Sequence, residues 1–245
     1  MTGVILAAGD GVRFSTSTGH DSCKALNKIN NKYIIQFALD NLVELGITEC
    51  VIVVGHFSDI VRKTLSDNYR GIKISYVEQA ERKGVINAFV CALESINNEG
   101  YIVLQLADEI FSDFDAENIK SFVSDEQYDF YCGITIEENE VKIKANYSVE
   151  TEGNNLLKKC IEKPEKVVNN IKGTGFCIFD NDCVLSLKEI YNETENMPCD
   201  LCDYLNYLVE SGKKGLCLRV AKKEFNINTY EDLNEATRYF SVTRG

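Results

Sequence analysis

The chain has 245 residues, a formal net charge of −12 and 44% hydrophobic residues. That length supports one large α/β core or at most two small ones, and the acidity excludes the basic stripe of a nucleic-acid surface. No apolar run approaches the roughly 18 residues of a membrane span and no basic-then-apolar leader opens the chain, so the expectation is a cytoplasmic protein without a membrane segment.

Residues Gly3 to Ala7 are apolar enough for a buried strand, and they run into Leu6-Ala-Ala-Gly-Asp-Gly-Val-Arg13. Gly9 and Gly11 remove Cβ atoms, so backbone N–H groups can close around an anion, while Arg13 and Lys24 supply fixed positive charge. A nucleoside triphosphate losing pyrophosphate needs this arrangement, because its chemistry is positioning plus neutralisation of charge on phosphate oxygens. A dinucleotide fingerprint begins with the same G-x-G. Here Phe14 stands where its third glycine belongs, and residues 15–22 form a polar stretch without the helical periodicity that the fingerprint demands.

Further along, Ile34 to Leu45 is amphipathic with Gly46 behind it, the pattern of a helix and its stop. Glu49 to Val54 reads as a strand, Ser58 as the cap of a helix to about Leu65, and Ile72 to Val77 as the third strand. Val85 to Ile96 follows as a helix and Tyr101 to Leu106 as a strongly apolar fourth strand. Such strands, alternating with helices, are buried on both faces of a parallel sheet. Ligands of these sheets sit beyond the carboxyl ends of the strands, where the glycine turn, Gln79 and Asp108 all fall.

From about residue 128 the pattern turns to strands of mixed direction: Phe130 to Ile136, Tyr147 to Glu150, Leu156 to Ile161 and Gly175 to Phe179. Helices Asn181 to Tyr191 and Leu201 to Val209, a strand Gly215 to Val220 and a closing helix from Tyr230 complete the order. The expected fold is α/β and Rossmann-like, a mostly parallel mixed sheet flanked by helices, with a small β-rich lid on one edge. It is a single domain whose halves, 1–127 and 128–245, serve nucleotide and acceptor respectively.

Asp108 and Glu109 end an apolar strand abruptly, and a carboxylate there suits Mg²⁺, which favours hard oxygen ligands. The carbonyl oxygen of Asn226, just before the last helix, is a candidate second ligand, with Thr229 as that helix's cap. Ile161-Glu-Lys-Pro164 displays Glu162 and Lys163 at a strand end, because proline stops the ladder. Glu162 can accept hydrogen bonds from hydroxyls and Lys163 can meet a phosphate. Gly173-Thr174-Gly175 offers a second backbone approach to a ligand. The ten cysteines are scattered singly and read as free thiols, and Cys199-Asp-Leu-Cys202 is a lone CxxC without a second pair. Neither histidine, His20 or His56, carries an assigned role.

Taken together, LAAGDGVRF, Lys24-Ala-Leu, Ile52-Val-Val-Gly55, Tyr76-Val-Glu-Gln79 with Gly84 to Ala88, Asp108, Glu162-Lys-Pro164, Gly173 to Phe179 and Asn226-Ile-Asn-Thr229 resemble the nucleotide-sugar pyrophosphorylases, or sugar-1-phosphate nucleotidylyltransferases. The order matches across almost the whole chain. The resemblance implies a GT-A-like nucleotidyltransferase fold in which Leu6, Ala8, Gly9, Gly11 and Arg13 hold the triphosphate and Lys24 bridges phosphates of both substrates. It puts Gln79 and Gly84 against a pyrimidine base, Mg²⁺ on Asp108 and Asn226, and the acceptor on Glu162, Lys163, Thr174 and Gly175. The implied reaction attacks the α-phosphorus in line with an acceptor phosphate oxygen and releases pyrophosphate, without a covalent enzyme intermediate.

The departures are Cys23 for a proline, Ala107 for a glycine, Asn226 where many relatives carry aspartate, and Lys144-Ala-Asn-Tyr147 in place of a Tyr-Gly pair. An amide such as Gln79 presents either a donor or an acceptor edge, which suits uracil or thymine and leaves cytosine open. The expected activity therefore uses UTP or dTTP and a sugar 1-phosphate. The alternatives are a CTP-dependent cytidylyltransferase acting on a phosphorylated alcohol and a silent nucleotide-binding regulator. A glycosyltransferase is disfavoured by the lack of an Asp-x-Asp pair at Asp108. Expected partners are these small molecules only, and a homo-oligomer is compatible with the sequence.

Overall fold

The computed structural model describes residues 1–9, 14, 16, 23–81, 83–96, 100–193 and 198–242. The chain begins with β1 (Thr2–Ala7), a short 3₁₀ turn (Lys24–Leu26), β2 (Lys28–Ile29), β3 (Lys32–Tyr33) and helix α1 (Ile34–Glu44). It continues through β4 (Glu49–Val54), α2 (Ser58–Leu65), β5 (Asn68–Tyr69), β6 (Ile72–Glu78) and α3 (Gly84–Glu94). Next come β7 (Ile102–Leu106), β8 (Glu109–Ser112), α4 (Ala116–Ser124), β9 (Phe130–Ile136), α5 (Glu140–Lys144), β10 (Tyr147–Glu152) and β11 (Leu156–Glu162). The last elements are β12 (Ile171–Phe179), α6 (Asn181–Glu193), α7 (Leu201–Glu210), β13 (Gly215–Arg219), β14 (Lys223–Asn226) and α8 (Tyr230–Val242).

Ten strands form one sheet in the order β10-β11-β13-β9-β12-β7-β1-β4-β6-β5. Residues 1–127 supply the parallel run β7-β1-β4-β6, as the apolar strands and intervening helices require. Neighbouring residues serve opposite faces: Val4, Leu6 and Val53 pack with α3, α6 and α7, whereas Ile5, Ile52 and Val103 pack with α1, α2 and α4. The strands expected as a lid continue this sheet, because β12 pairs antiparallel with β7 on one side and β9 on the other. β10 also touches β12 at Ser148 and Lys172, so β10, β11, β13, β9 and β12 close into a ring. The register of β12 shifts between Gly173 and Cys177, where the strand leaves one neighbour for the next.

Two local readings change and one holds. Ser58 does not cap α2; Phe57 holds that position, and the Ser58 hydroxyl instead accepts from Arg62 Nε at 3.0 Å. Thr229 does cap α8, in a reciprocal exchange in which Asp232 accepts from its N–H and hydroxyl. Phe14 and Thr16 have helical backbone where a loop is expected. A third small core gathers Phe14, Ile29, Phe37, Ile110, Phe225, Ile227 and Leu233, with Tyr239 and Phe240 of α8 packed against it. Phe14 is 1% exposed there, so it is anchored on the last helix. No helix among the described residues is long and apolar enough to cross a membrane.

Candidate active site

At the carboxyl ends of β1, β6 and β7 lies a cavity of about 270 Å³. Leu6, Ala8, Gly9, Lys24, Gln79, Gly84 and Asp108, which sequence reasoning assigned to nucleotide and metal, all line it. Gly11 and Arg13 lie outside the described residues. The register explains the convergence: Leu6 pairs with Leu106 and Val53, so the parallel strands end nearly level and their following residues face one space. Cys23 and Ala107, two of the departures, also line the wall as small residues.

Lys24 Nζ and Asp108 Oδ2 form an ion pair at 2.5 Å, with side chains 14% and 25% exposed. β14 runs antiparallel to β8 with Asn226 opposite Glu109, and Ile227 N–H donates to Asp108 O at 2.9 Å. Asn226 therefore lies against the turn that carries Asp108. Its Nδ2 donates to Asn146 Oδ1 at 2.7 Å and its Oδ1 accepts from Asn228 Nδ2 at 2.8 Å, which fixes the amide's orientation. A carboxylate and an amide carbonyl are hard oxygen donors of the kind Mg²⁺ takes, with water and phosphate oxygens completing its shell, although Asn226 lines a separate cavity with Asn146 and Lys172 and not the one that Asp108 lines.

The acceptor residues are more dispersed. Glu162 ends β11, and Lys163 follows with φ +43 and its Nζ 2.7 Å from Glu162 Oε1. Neither lines the nucleotide cavity, yet Lys163 N–H donates to Asn146 O at 2.7 Å, which ties this rim to Asn226 through one asparagine. Direct acceptor contact by Thr174 and Gly175 does not fit the geometry. Thr174 is fully buried with its hydroxyl donating to Gly133 O at 2.9 Å, and Gly175 N–H donates to Glu109 Oε2 at 2.6 Å. Their polar groups are spent inside the protein because β12 changes register there. Tyr147 turns inward as well: it is 7% exposed and its hydroxyl donates to Thr174 O at 2.6 Å, so its ring does not wall off the acceptor rim.

The family model described as nucleotidyl transferase matches residues 2–240 of this chain. The chain belongs to that family. This nucleotidyltransferase is 28% identical over 238 residues to the UTP–glucose-1-phosphate uridylyltransferase AglF of Haloferax volcanii, covering 96% of this chain and 95% of that one. Its fold is shared with a crystal structure of UDP-glucose pyrophosphorylase complexed with UDP-glucose, at a TM-score of 0.83 and 22% identity over 99% of this chain and 98% of that one. The inositol-1-phosphate CTP transferase of T. maritima has the same fold, with a TM-score of 0.79 and 19% identity, covering 98% of this chain and 94% of that one.

Sequence reasoning named Glu109 beside Asp108 but missed that it is buried, and missed the charges of Lys172 and Glu224 behind it. Glu109, Lys172 and Glu224 are 3%, 2% and 3% exposed, and Lys172 and Glu224 form a buried ion pair. Lys172 and Glu224 read as solvated charges within strands, whereas the fold buries both. Burial pushes Glu109 up to about 7, with the Asp108 charge adding to the shift and Lys172 opposing it. Burial likewise pulls Lys172 down to about 8. Between the ordinary 4.5 and about 7 the folded protein holds a proton on Glu109 that the unfolded chain has lost, so this group makes stability fall as pH rises. Lys172 is protonated in both states over that window and adds no slope. Glu109→Gln is expected to flatten the fall, read as thermal midpoints of metal-free wild type and variant across that range. Parallel curves would exclude the assignment.

Proposed function

We propose that this nucleotidyltransferase joins UTP or dTTP to a sugar 1-phosphate with Mg²⁺, forming a nucleotide sugar and releasing pyrophosphate. The carrying observation is the Lys24–Asp108 ion pair on the wall of the cavity that gathers the nucleotide residues. That the AglF relative is a UTP–glucose-1-phosphate uridylyltransferase supports the choice of a sugar phosphate and of uracil. Asp108 and Asn226 would hold the metal, whose contribution when bound is neutralisation of charge on the phosphate oxygens. Lys24, released from Asp108 toward substrate, and Arg13 stabilise the same charge as it shifts to the leaving group. The acceptor phosphate oxygen forms its bond to the α-phosphorus as the bond from that phosphorus to the bridging oxygen breaks, and pyrophosphate carries the electron pair away. Lys163 meets the acceptor phosphate and Glu162 the sugar hydroxyls. Thr174 and Gly175 act only by shaping the sheet behind them. We assign the reaction to the cytoplasm, where nucleoside triphosphates are available.

Pyrophosphate release with Mg²⁺ tests this directly, over the common nucleoside triphosphates against panels of sugar phosphates and phosphorylated alcohols. Turnover with UTP or dTTP and a sugar 1-phosphate is the expected result. Turnover restricted to CTP and a phosphorylated alcohol would replace the reading with a cytidylyltransferase. Nucleotide binding with no release in any combination would make the protein a silent binder.

A further inference from the structure

The base end of the cavity is held by a chain of side chains from three elements. Gln79 follows β6, and its Nε2 donates to Gly84 O at 3.1 Å and to Asn87 Oδ1 at 2.6 Å. A backbone carbonyl can only accept, so the NH₂ end of the Gln79 amide is fixed on that side and Oε1 on the other. Asn87, on α3, is fixed by the same logic: its Oδ1 is taken by Gln79, and its Nδ2 donates to the hydroxyl of Tyr191. Tyr191 belongs to α6, in the half of the chain expected to serve the acceptor. Beyond it, the Cys199 carbonyl oxygen lies 2.8 Å from where a Cβ on Gly84 would stand, and Gly84 has φ +91, so the same segment closes over the start of α3. Gln79 is 8% and Asn87 9% exposed, which shields both bonds from competing water.

We propose that Asn87 and Tyr191 are positioning residues that lock the Gln79 amide with its carbonyl oxygen toward the nucleotide cavity, so that the base is recognised through one of its own N–H donors. The proposal rests on the nucleotide reading of this cavity. Oε1 takes no hydrogen bond from the described residues, and Gln79 lines the cavity, so an incoming base meets an acceptor. Uracil and thymine answer it with N3–H. A base that turns a ring nitrogen's lone pair to that oxygen is repelled and leaves both acceptors unpaired. An unlocked amide rotates and offers its NH₂ to that lone pair. Loss of the lock therefore erodes discrimination between bases more than affinity for nucleotides in general.

The test is equilibrium binding of UTP and of CTP by calorimetry, with Mg²⁺ and without any acceptor, so that no turnover intervenes. Wild type is expected to favour UTP by about tenfold or more, the worth of one hydrogen bond made against one left unmade. Tyr191→Phe, which removes one oxygen, and Asn87→Leu, which removes the acceptor, leave Gly84 O as the remaining anchor of the amide and are expected to lower that ratio by about threefold or more. Asn87→Asp still accepts from Gln79 and can accept from the Tyr191 hydroxyl, so it is expected to keep the wild-type ratio. A ratio unchanged in both Tyr191→Phe and Asn87→Leu overturns the lock, as does a wild type with no preference. A CTP preference that collapses in the same variants supports the lock and overturns the uracil reading. An intact UTP preference in an enzyme that turns over no sugar phosphate overturns the proposed reaction and leaves the lock standing. If Asn87→Leu fails to fold, Tyr191→Phe decides the matter.

Discussion

Pyrophosphate release is expected to fall by about 10²–10³-fold when Asp108 is replaced by alanine, the range seen when one preorganised electrostatic group is lost from an active site. Two interactions end together in that variant. The hard oxygen donor of the proposed metal site disappears, and Lys24 loses the partner that holds its Nζ at 2.5 Å on the cavity wall. Asp108→Asn keeps the shape and an oxygen but removes the charge, and is expected to be impaired nearly as much. The backbone bond from Ile227 N–H to Asp108 O persists in both, so the β8–β14 pair that carries Asn226 survives. Steady-state kinetics alongside thermal midpoints separate chemistry from folding. An alanine variant with full turnover at wild-type Mg²⁺ dependence would remove Asp108 from the mechanism.

Gly173→Ala is expected to destabilise the protein by about 3 kcal/mol, at the upper end of overpacking costs. A Cβ at that position would stand 1.8 Å from Tyr147 Cε2 and 2.0 Å from Cζ. The ring has little room to retreat, because its hydroxyl is bonded to Thr174 O and it packs in the same core as Cys132 and Cys160. β12 has little either, being paired to β7, β9 and β10. In a Tyr147→Ala background the same substitution is expected to cost little, although Tyr147→Ala alone costs about 3–5 kcal/mol through its cavity. Chemical denaturation of the four proteins gives the coupling, and additive effects would show that ring and glycine do not constrain each other.

The parallel half was legible because its strands are apolar on both faces and its helices carry a one-sided stripe. The residues after β1, β6 and β7 converge for topological reasons that sequence alone conveys. Other elements were hidden by their charges. β8 and β14 are four residues long and contain Glu109 and Glu224, which read as loop residues until the topology buries them beside Lys172. Thr174 and Gly175 lie in a motif that seemed to face a ligand, but the register shift in β12 turns their polar groups inward. The Gln79 amide illustrates a different limit. Its type was readable and its orientation was not, since that depends on Asn87 and on Tyr191, 104 positions further along the chain.

The small core around Phe14 has a consequence for how the protein is made. Phe14 comes off the ribosome 219 residues ahead of Leu233 and still further ahead of Tyr239 and Phe240, against which its cluster packs. The sheet strands β1, β4 and β6 can associate long before then, since they are sequential neighbours. Anchoring of Phe14 must wait for α8, and with it the closing of a loop of more than 200 residues. A ribosome that stalls within β14 thus leaves a largely formed sheet in which Phe14 has no helix to pack on.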